Sequence, residues 1–459
     1  PWLDALELSP MEEQIAETIL RELRARVGFL VDVGLGYLSL SRQMRTLSGG
    51  EAQRINLANS LGSSLVDTLY VLDEPTVGLH PRDTGALLGL LRKLSEAGNT
   101  VVVVEHDPQA IRMADHVVEL GPASGEQGGQ VVYVGPPDAL QDQDTATGRY
   151  LSGRSGVPLP DRQRDTRGRS LALKGARLHN VRDVDIEIPL GTLTVVTGVS
   201  GSGKSTLVHD ILYHALERAL SGESSAKEHL GEAVGAYDAL EGVSALDDVV
   251  LVDQSPIGRT PRSNPVTYVK AWDHMRKIFA DQQVSKERGY GPGHFSFNTK
   301  GGRCEECKGA GYVEIEMIFM ADVYVPCDAC NGKRYGRDIL DVKVKGKDIS
   351  DVLELTVDEA IRFFIKEDRL GQTLWHLQQV GLGYLRLGQP APTLSGGEAQ
   401  RLKIARELVG GAGKKGRKLY VMDEPTTGLS GSDIRKLLRV MDRLVEAGHT
   451  VVVIEHNLD

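Results

Sequence analysis

Short apolar runs that end in polar residues recur along the chain. Thr100 is followed by the valines of 101–104 and then by a glutamate and a histidine, and the run 192–196 leads into a glycine-rich loop. Such short apolar runs are typical of buried strands, whereas the residues from Thr206 onward have a helical pattern. The chain is therefore predicted to be α/β, with parallel strands that feed polar residues into the loops at their ends.

Four sequence blocks occur twice in the same order,. Two pairs are separated by 394 − 47 = 347 residues and two by 420 − 70 = 350 residues. The pairs are 34–38 with 381–385, 47–54 with 394–401, 70–76 with 420–426, and 100–106 with 450–456. The constant order predicts two homologous units, and the three extra residues are placed in the Gly- and Lys-rich stretch 410–418, where a surface loop can absorb them.

A fifth block occurs once. Residues 198–205 read Gly-Val-Ser-Gly-Ser-Gly-Lys-Ser, a Walker A pattern whose counterpart would precede residue 1,. The chain also begins at Pro1 rather than at a methionine. We therefore expect an internal fragment with the C-terminal part of a first ATPase unit at 1–140, a linker at 141–170, and a second unit at 171–459.

The glycines of a Walker A loop let backbone N–H groups curl around phosphates at a helix N-terminus. Lys204 is predicted to reach the β- and γ-phosphates of ATP, and the Ser205 hydroxyl to bind Mg²⁺. The full predicted loop set is Gly198, Ser200, Gly201, Gly203, Lys204, Ser205 and Thr206.

An apolar strand also delivers two carboxylates. Asp423 is predicted to hold Mg²⁺, and Glu424 to orient and deprotonate the attacking water. Asp73 and Glu74 repeat this pair in the first unit. The alternative is an exposed acidic strand end with no catalytic role.

The block Leu-Ser-Gly-Gly-Glu resembles the signature of the ABC class of ATPases. The resemblance implies that each signature closes over ATP held by the other unit: Ser48, Gly49 and Gly50 over the Lys204 site, and Ser395, Gly396 and Gly397 over the site of the upstream Walker A loop. It also implies a γ-phosphate-contacting histidine at His106 and His456, and a Q-loop residue at Gln254. A purely structural histidine is the alternative at the first two positions.

All four cysteines lie in two Cys-x₂-Cys pairs, separated by the 19 residues 308–326. This spacing predicts a closed, structural Zn²⁺ site of Cys304, Cys307, Cys327 and Cys330 within a module at about 290–340,. The stretch 311–326, rich in β-branched and aromatic residues, is predicted to form a hairpin. Buried free cysteines and disulfides are the alternatives.

Basic and aromatic residues surround the cysteines. Basic groups can neutralise phosphates, and aromatic rings can stack on exposed bases. The basic residues are Arg259, Arg262, Lys270, Arg276, Lys277, Lys286, Arg288, Lys300, Arg303 and Lys308, and the aromatic residues are Tyr268, Tyr290, Phe295 and Phe297. The alternative is a solvated surface over ordinary core aromatics.

Several blocks resemble the UvrA family, the damage-recognition component of the bacterial UvrABC excinuclease. They are 147–154, 252–265, 295–298, 301–304, 322–327, 332–335 and 384–389. The resemblance implies a cytoplasmic, ATP-driven homodimer that binds lesions in double-stranded DNA and loads UvrB without cutting DNA. Arg259, Arg262, Lys300, Arg303 and the zinc hairpin would face DNA. The usual UvrB-binding region would lie upstream, and Ser430 and His294 depart from the family pattern, which would also suit a divergent paralogue.

Composition narrows the alternatives only a little. Charged residues are 25%, hydrophobic residues 41%, and the net charge is −10, which mildly disfavours a nucleic-acid binder unless positive charge is clustered,. No apolar run approaches the length of about 20 residues needed for a membrane span, and no secretion leader is recognisable. A transporter or drug-resistance ATPase and a translation-associated ABC protein remain the competing classes.

Overall fold

Two α/β units follow one another along the chain. The computed structural model describes residues 3, 5–44, 49–61, 66–122, 128–157, 168–221, 234–258, 260–315, 323–411, 416–429 and 431–457. The first unit contains α1 (Pro10–Asp32), α2 (Gly49–Leu61), β1 (Leu69–Asp73), α3 (Pro81–Glu96), β2 (Thr100–Val104), α4 (Pro108–Met113), β3 (Val117–Gly121), β4 (Gln130–Gly135), α5 (Pro137–Leu140) and α6 (Ala146–Leu151). Strands β1 and β2 pair in parallel, and β3 and β4 pair antiparallel.

The second unit begins with strands and continues into a helical segment. Its first elements are β5 (Ser170–Leu178), β6 (Val181–Pro189), β7 (Leu193–Val196), a π-helix (Thr206–Tyr213), α7 (His214–Ser221), β8 (Ala239–Glu241), a 3₁₀ turn (Val243–Ala245) and β9 (Asp248–Val252). The helical segment contains α8 (Pro265–Tyr268), α9 (Trp272–Ala280), α10 (Gln283–Arg288), β10 (Tyr312–Ile315), β11 (Val323–Pro326), α11 (Arg337–Leu340), α12 (Ile349–Glu354), α13 (Val357–Phe363) and α14 (Asp368–Gln379). A 3₁₀ turn (Ala391–Thr393), α15 (Gly396–Gly411), β12 (Lys418–Asp423), α16 (Gly431–Glu446) and β13 (Thr450–Ile454) complete it.

A four-stranded parallel sheet in the order β7-β13-β12-β9 forms the centre of the second unit. Every residue of β13 is buried, which explains why this strand is continuously apolar rather than alternating,. Helix α16 packs a stripe that includes Leu437, Val440 and Met441 on one face, and β5 and the π-helix cover the other,. The carboxyl ends of the strands meet at one edge, where the predicted polar residues lie.

The equivalent strands of the two units differ sharply in burial. Leu419 and Val421 of β12 are fully buried against a cluster from β5 and the π-helix, which includes Leu173 and Ile211. Their repeat equivalents in β1, Leu69 and Val71, are 61% and 65% exposed. By the repeat offset, the counterparts of β5 and the π-helix would precede residue 1, so this difference in exposure reflects the extent of the chain.

The predicted fold class is confirmed: parallel strands feed the loops, and a helical segment carries an antiparallel hairpin of β10 and β11. The helix predicted from Thr206 begins as a π-helix for eight residues. Within the predicted linker, residues 146–151 form α6, and the Ser155 hydroxyl accepts a hydrogen bond from Arg435 of α16 at 2.8 Å. Among the described residues, no helix combines the length and the apolar character needed to cross a bilayer.

Candidate functional site

The loop between β7 and the π-helix has the shape of a phosphate cradle. Gly198, Gly201 and Gly203 all have positive φ, at 150°, 72° and 99°, values that residues with a Cβ rarely adopt,. Lys204 is 9% exposed, and its Nζ donates to the carbonyl oxygens of Gly198 and Val199 at 2.9 and 3.0 Å. Burial lowers the pKa of Lys204. The lysine is thus held inside the loop that the sequence assigns to the phosphates.

Two carboxylates stand at the end of β12, beside this loop. Asp423 closes the strand, and its Oδ1 is buried with no hydrogen-bond partner among the described residues. Glu424 follows with φ of 45°, and Glu74 has the same left-handed backbone, at 43°, in the first unit. A buried, unpartnered carboxylate oxygen fits a divalent cation, so Asp423 satisfies the donor chemistry predicted for Mg²⁺.

Burial raises the pKa of Glu424 to about 7, and the negative charges of Asp423 and Glu455 add to the effect. A carboxylate whose pKa lies near neutral pH suits a general base. The Nε2 of His456 lies 3.5 Å from Oε1 of Glu424. Burial first, and then the charge of Lys204, lower the pKa of His456 to about 4, so this imidazole is neutral at pH 7.

The first unit repeats the pairing with less burial. Nε2 of His106 lies 3.8 Å from Oε1 of Glu74, with half of the histidine side chain exposed. In both units a glutamate that precedes the histidine, Glu105 or Glu455, accepts the backbone N–H of the histidine at 2.9 Å. The sequence interpretation missed this glutamate, although its recurrence in the repeated block was a usable signal.

The two units meet across the candidate site. A Cβ on Gly78 of the first unit would lie 3.3 Å from Oε1 of Glu424, and one on Gly428 would lie 3.3 Å from Oε1 of Glu74. The Ser200 hydroxyl of the Walker A loop donates to the carbonyl oxygen of Gly78 at 3.2 Å. His80 donates its backbone N–H to the same hydroxyl at 3.2 Å. A cavity of about 600 Å³ lies between the units and includes both glutamates and both histidines in its lining.

The first signature helix also lies near the second unit's phosphate loop. Ser48 lies outside the described residues, and Gly49 and Gly50 begin α2. Tyr37 donates its hydroxyl to Oε1 of Glu51 in the first turn of α2 at 2.6 Å, and a Cβ on Gly201 would lie 2.6 Å from its ring. The sequence interpretation missed Tyr37 as a site residue, although Tyr384 repeats it and donates to Glu398 at 2.7 Å.

The second signature lies against the predicted Q-loop. Ser395 precedes α15, which begins with Gly396 and Gly397, and a Cβ on Gly396 would lie 3.2 Å from Oε1 of Gln254. Gln400 of α15 donates to the carbonyl oxygens of Val252 and Asp423 at 3.0 and 2.6 Å. One helix therefore joins the Q-loop, the strand end with its carboxylates, and a signature.

The four cysteines form one cluster, as predicted. Their sulfur atoms all lie within 4.8 Å of one another, and the four residues are 0–8% exposed. Lys308 and Asn331, which follow the two cysteine pairs, have positive φ of 49° and 48°, and each precedes a glycine that continues the turn. Gly311 donates its N–H to Sγ of Cys307 at 3.3 Å. This arrangement of four thiols fits a structural Zn²⁺ site.

The residues predicted to face DNA do not share one environment. Arg259 lies outside the described residues, Arg262 is half-buried and Lys300 is exposed. The Arg303 side chain is 12% exposed and donates to the carbonyl oxygen of Asn298 at 3.1 Å. Phe295 and Phe297 are fully buried, so the alternative of ordinary core aromatics holds for these two rings.

A Walker A loop, a strand-end carboxylate pair, a neighbouring histidine and two signatures arranged around one interface define the ABC class of ATPases. No protein-family model matches the chain. The chain is 55% identical over 453 residues to the UvrABC system protein A of Thermus thermophilus, covering 98% of this chain and 47% of the relative. It is 54% identical over 461 residues to the same protein of Mycobacterium tuberculosis, covering 100% of this chain and 46% of the relative.

A crystal structure of UvrA2 from Deinococcus radiodurans superposes with a TM-score of 0.89 at 46% identity, covering 99% of this chain and 54% of that one. The chain belongs to the UvrA family, as the resemblance predicted. It spans about half the length of the curated relatives it matches.

Proposed function

We propose that the chain is part of an ATP-hydrolysing protein that recognises DNA damage in nucleotide excision repair, the UvrA component of the excinuclease. The observation that carries the ATPase part is the position of Glu424, 3.5 Å from His456 and beside the loop that holds Lys204, at an interface to which the first unit contributes Gly78. Family membership supports the repair part. By the same resemblance, the full protein would act as a cytoplasmic homodimer that loads UvrB.

The proposed reaction is attack of water on the γ-phosphorus of ATP, with cleavage of the bond to the bridging oxygen of ADP. Glu424 takes the proton of the attacking water, because its pKa of about 7 allows the ionised form to be present and basic at neutral pH,. The neutral imidazole of His456 lies beside Glu424, where it can form a hydrogen bond with the attacking water or the γ-phosphate. Lys204 and the backbone N–H groups of 198–205 hold the phosphates, and Ser205 and Asp423 would hold Mg²⁺, which neutralises phosphate charge when bound.

If the first signature closes over the ATP held by Lys204, a substitution in that signature should strongly reduce ATP turnover at the second unit's site. In the full-length protein, Ser48→Arg should lower the ATP turnover that depends on Lys204 about 10²-fold, a loss typical of removing a donor from a reacting phosphate or oxyanion. The contact of Tyr37 with both Glu51 and Gly201 supports this expectation. Steady-state turnover in wild type, in Ser48→Arg and in Lys204→Ala, which defines the background, measures it. Ser95→Arg, at an exposed serine of α3, is the matched control, and unchanged turnover in Ser48→Arg would show that the pairing is wrong.

The repair function predicts tighter binding of lesion-bearing than intact duplex DNA. Equilibrium binding of the full-length protein to both duplexes should be measured across a salt series, with and without ATP. The logarithm of affinity should fall linearly with the logarithm of salt concentration, and Lys300→Ala should reduce that slope by about one if Lys300 contacts a phosphate. Equal affinity for the two duplexes under every condition would remove the damage-recognition claim and leave the ATPase claim intact.

A further inference from the structure

One arginine of the zinc module is buried at the point where three segments meet. Arg334 is 5% exposed, and its guanidinium lies 5.3 Å from the centre of the Phe297 ring. Its two terminal nitrogens donate to carbonyl oxygens on two other segments, those of Pro261 at 3.3 Å and Gly388 at 3.2 Å. One planar side chain thus links backbones that are 73 and 54 residues away in sequence.

The charge of Arg334 needs an explanation, because burying an unpaired guanidinium is costly. Among the ion pairs of the described residues, none involves Arg334. The carboxylate with the largest electrostatic influence on Arg334 is that of Glu354, and it is paired with Arg386 at 2.7 Å. The cysteine cluster is adjacent: the backbone oxygen of Arg334 accepts the N–H of Cys304 at 2.8 Å. Four thiolates around one Zn²⁺ carry a net charge of about −2, so the loaded cluster is a suitable counter-charge.

The two carbonyl oxygens that Arg334 contacts belong to segments that continue to the nucleotide site. Gly388 begins the stretch that runs through the 3₁₀ turn (Ala391–Thr393) to the second signature. Pro261 belongs to the segment between Gln254 and the helical segment. These two stretches also bind one another, since Ala391 donates its N–H to the carbonyl oxygen of Ser263 at 2.8 Å. We call residues 388–394 the signature lead-in.

We propose that Arg334 is a positioning residue that fixes the signature lead-in to the zinc module, so that contacts made by the zinc module change ATP turnover. The fork of the guanidinium suits this role, because two carbonyl oxygens on separate segments are held at a fixed mutual geometry. The proposal rests on the proposed function, in which the protein binds DNA, and on the implication of the family resemblance that the zinc module faces DNA. In the alternative, Arg334 merely fills the core and does not link contacts of the zinc module to ATP turnover.

The test uses the full-length protein and the variant Arg334→Met, which keeps the length of the side chain and removes the charge and both hydrogen bonds. Arg337→Met, at an exposed arginine of the same module, is the matched control. Zinc content by elemental analysis, amide hydrogen exchange of the signature lead-in, and ATP turnover with and without duplex DNA are measured for each. Should Arg334→Met fail to fold, Arg334→Lys, which keeps the charge but lacks the fork, takes its place.

We expect Arg334→Met to retain wild-type zinc content and turnover without DNA within about twofold, since the residue touches no nucleotide group. Exchange of the signature lead-in should become at least about tenfold faster, which corresponds to about 1.4 kcal/mol, and the ratio of turnover with DNA to turnover without it should fall to near one. Arg337→Met should match wild type throughout.

Unchanged exchange of the signature lead-in, or an unchanged DNA effect in Arg334→Met, would overturn the positioning role. Loss of zinc from this variant would overturn it as well, because Arg334 would then serve to hold the metal. If wild type itself shows no DNA effect on turnover, the proposed function fails rather than this inference, and the exchange of the signature lead-in alone decides whether Arg334 fixes it.

Discussion

Replacing Glu424 by glutamine should reduce ATP turnover at the Lys204 site by about 10²–10⁴-fold, the range typical of losing a general base. The change is nearly isosteric, so the contacts of Gly78 and His456 around the side chain should persist. Glutamine cannot accept the proton of the attacking water. Turnover should therefore be lost while nucleotide binding stays close to that of the wild type.

The control separates chemistry from binding. Lys204→Ala should lose nucleotide affinity, because Lys204 is the cation inside the phosphate loop. Binding of a fluorescent ATP analogue and steady-state turnover, measured for both variants, distinguish the two effects. Turnover of Glu424→Gln within a fewfold of the wild type would exclude Glu424 as the base.

The pH dependence of kcat/KM provides the second readout of the same residue. Burial raises the pKa of Glu424 to about 7, and the base acts only when deprotonated. In wild type, kcat/KM should therefore rise with pH through about 7 and level off above it, because this parameter reports the free enzyme. The residual activity of Glu424→Gln should lack this acidic limb, and an acidic limb near the ordinary glutamate pKa of about 4.3 would contradict the assignment.

Removing the metal should unfold the turns and the hairpin strands around the four cysteines while the nucleotide-binding core stays folded. Among the described hydrophobic residues, Ala310 alone packs on the cluster of the four cysteines, so the turns around the metal have almost no apolar core of their own. Structural zinc contributes about 10–16 kcal/mol of apparent binding free energy in isolated zinc-finger peptides. A chelator, or Cys327→Ser at a fully buried cysteine, should abolish the protection of β10 and β11 from hydrogen exchange.

Glu306→Gln, at an exposed position between two cysteines of one pair, is the control and should keep both zinc and protection. Elemental analysis should show one zinc fewer per chain in Cys327→Ser than in the control. Protection of β12 and β13 should remain, because β5 and the π-helix bury one face of these strands in a cluster that contains no residue of the zinc module. Full retention of zinc and protection in Cys327→Ser would mean that the cysteines are simply buried thiols.

Much of the site could be predicted from the sequence because its residues lie in short, contiguous blocks. A glycine-rich loop between a strand and a helix, and acidic residues at the end of an apolar run, depend on local geometry. The repeat then doubled each observation, so that Glu74 and Glu424, or His106 and His456, supported one another. The cysteine spacing predicted the cluster for the same reason, since each pair forms its own turn.

Contacts between distant segments could not be predicted in this way. Tyr37 lies close to Gly201, and Gly78 lies close to Glu424, because of how the two units pack together. No local sequence pattern encodes this packing. Phe295 and Phe297 show why the choice between base stacking and core packing stayed open, because an aromatic residue near basic residues has the same sequence context whether its ring is exposed or buried. Trp272 and Tyr335, which pack on Phe297, are contributed by other segments.

The sequence by itself determined that this chain has two related units, one Walker A loop, paired strand-end carboxylates and a four-cysteine cluster. The tertiary structure alone decided which aromatic residues near the cysteines become core, as Phe295 and Phe297 show. It also decided that Arg334 is buried between the zinc module and the signature lead-in. The physical reason is that motif chemistry depends on neighbours along the chain, whereas burial depends on which other segments cover a face.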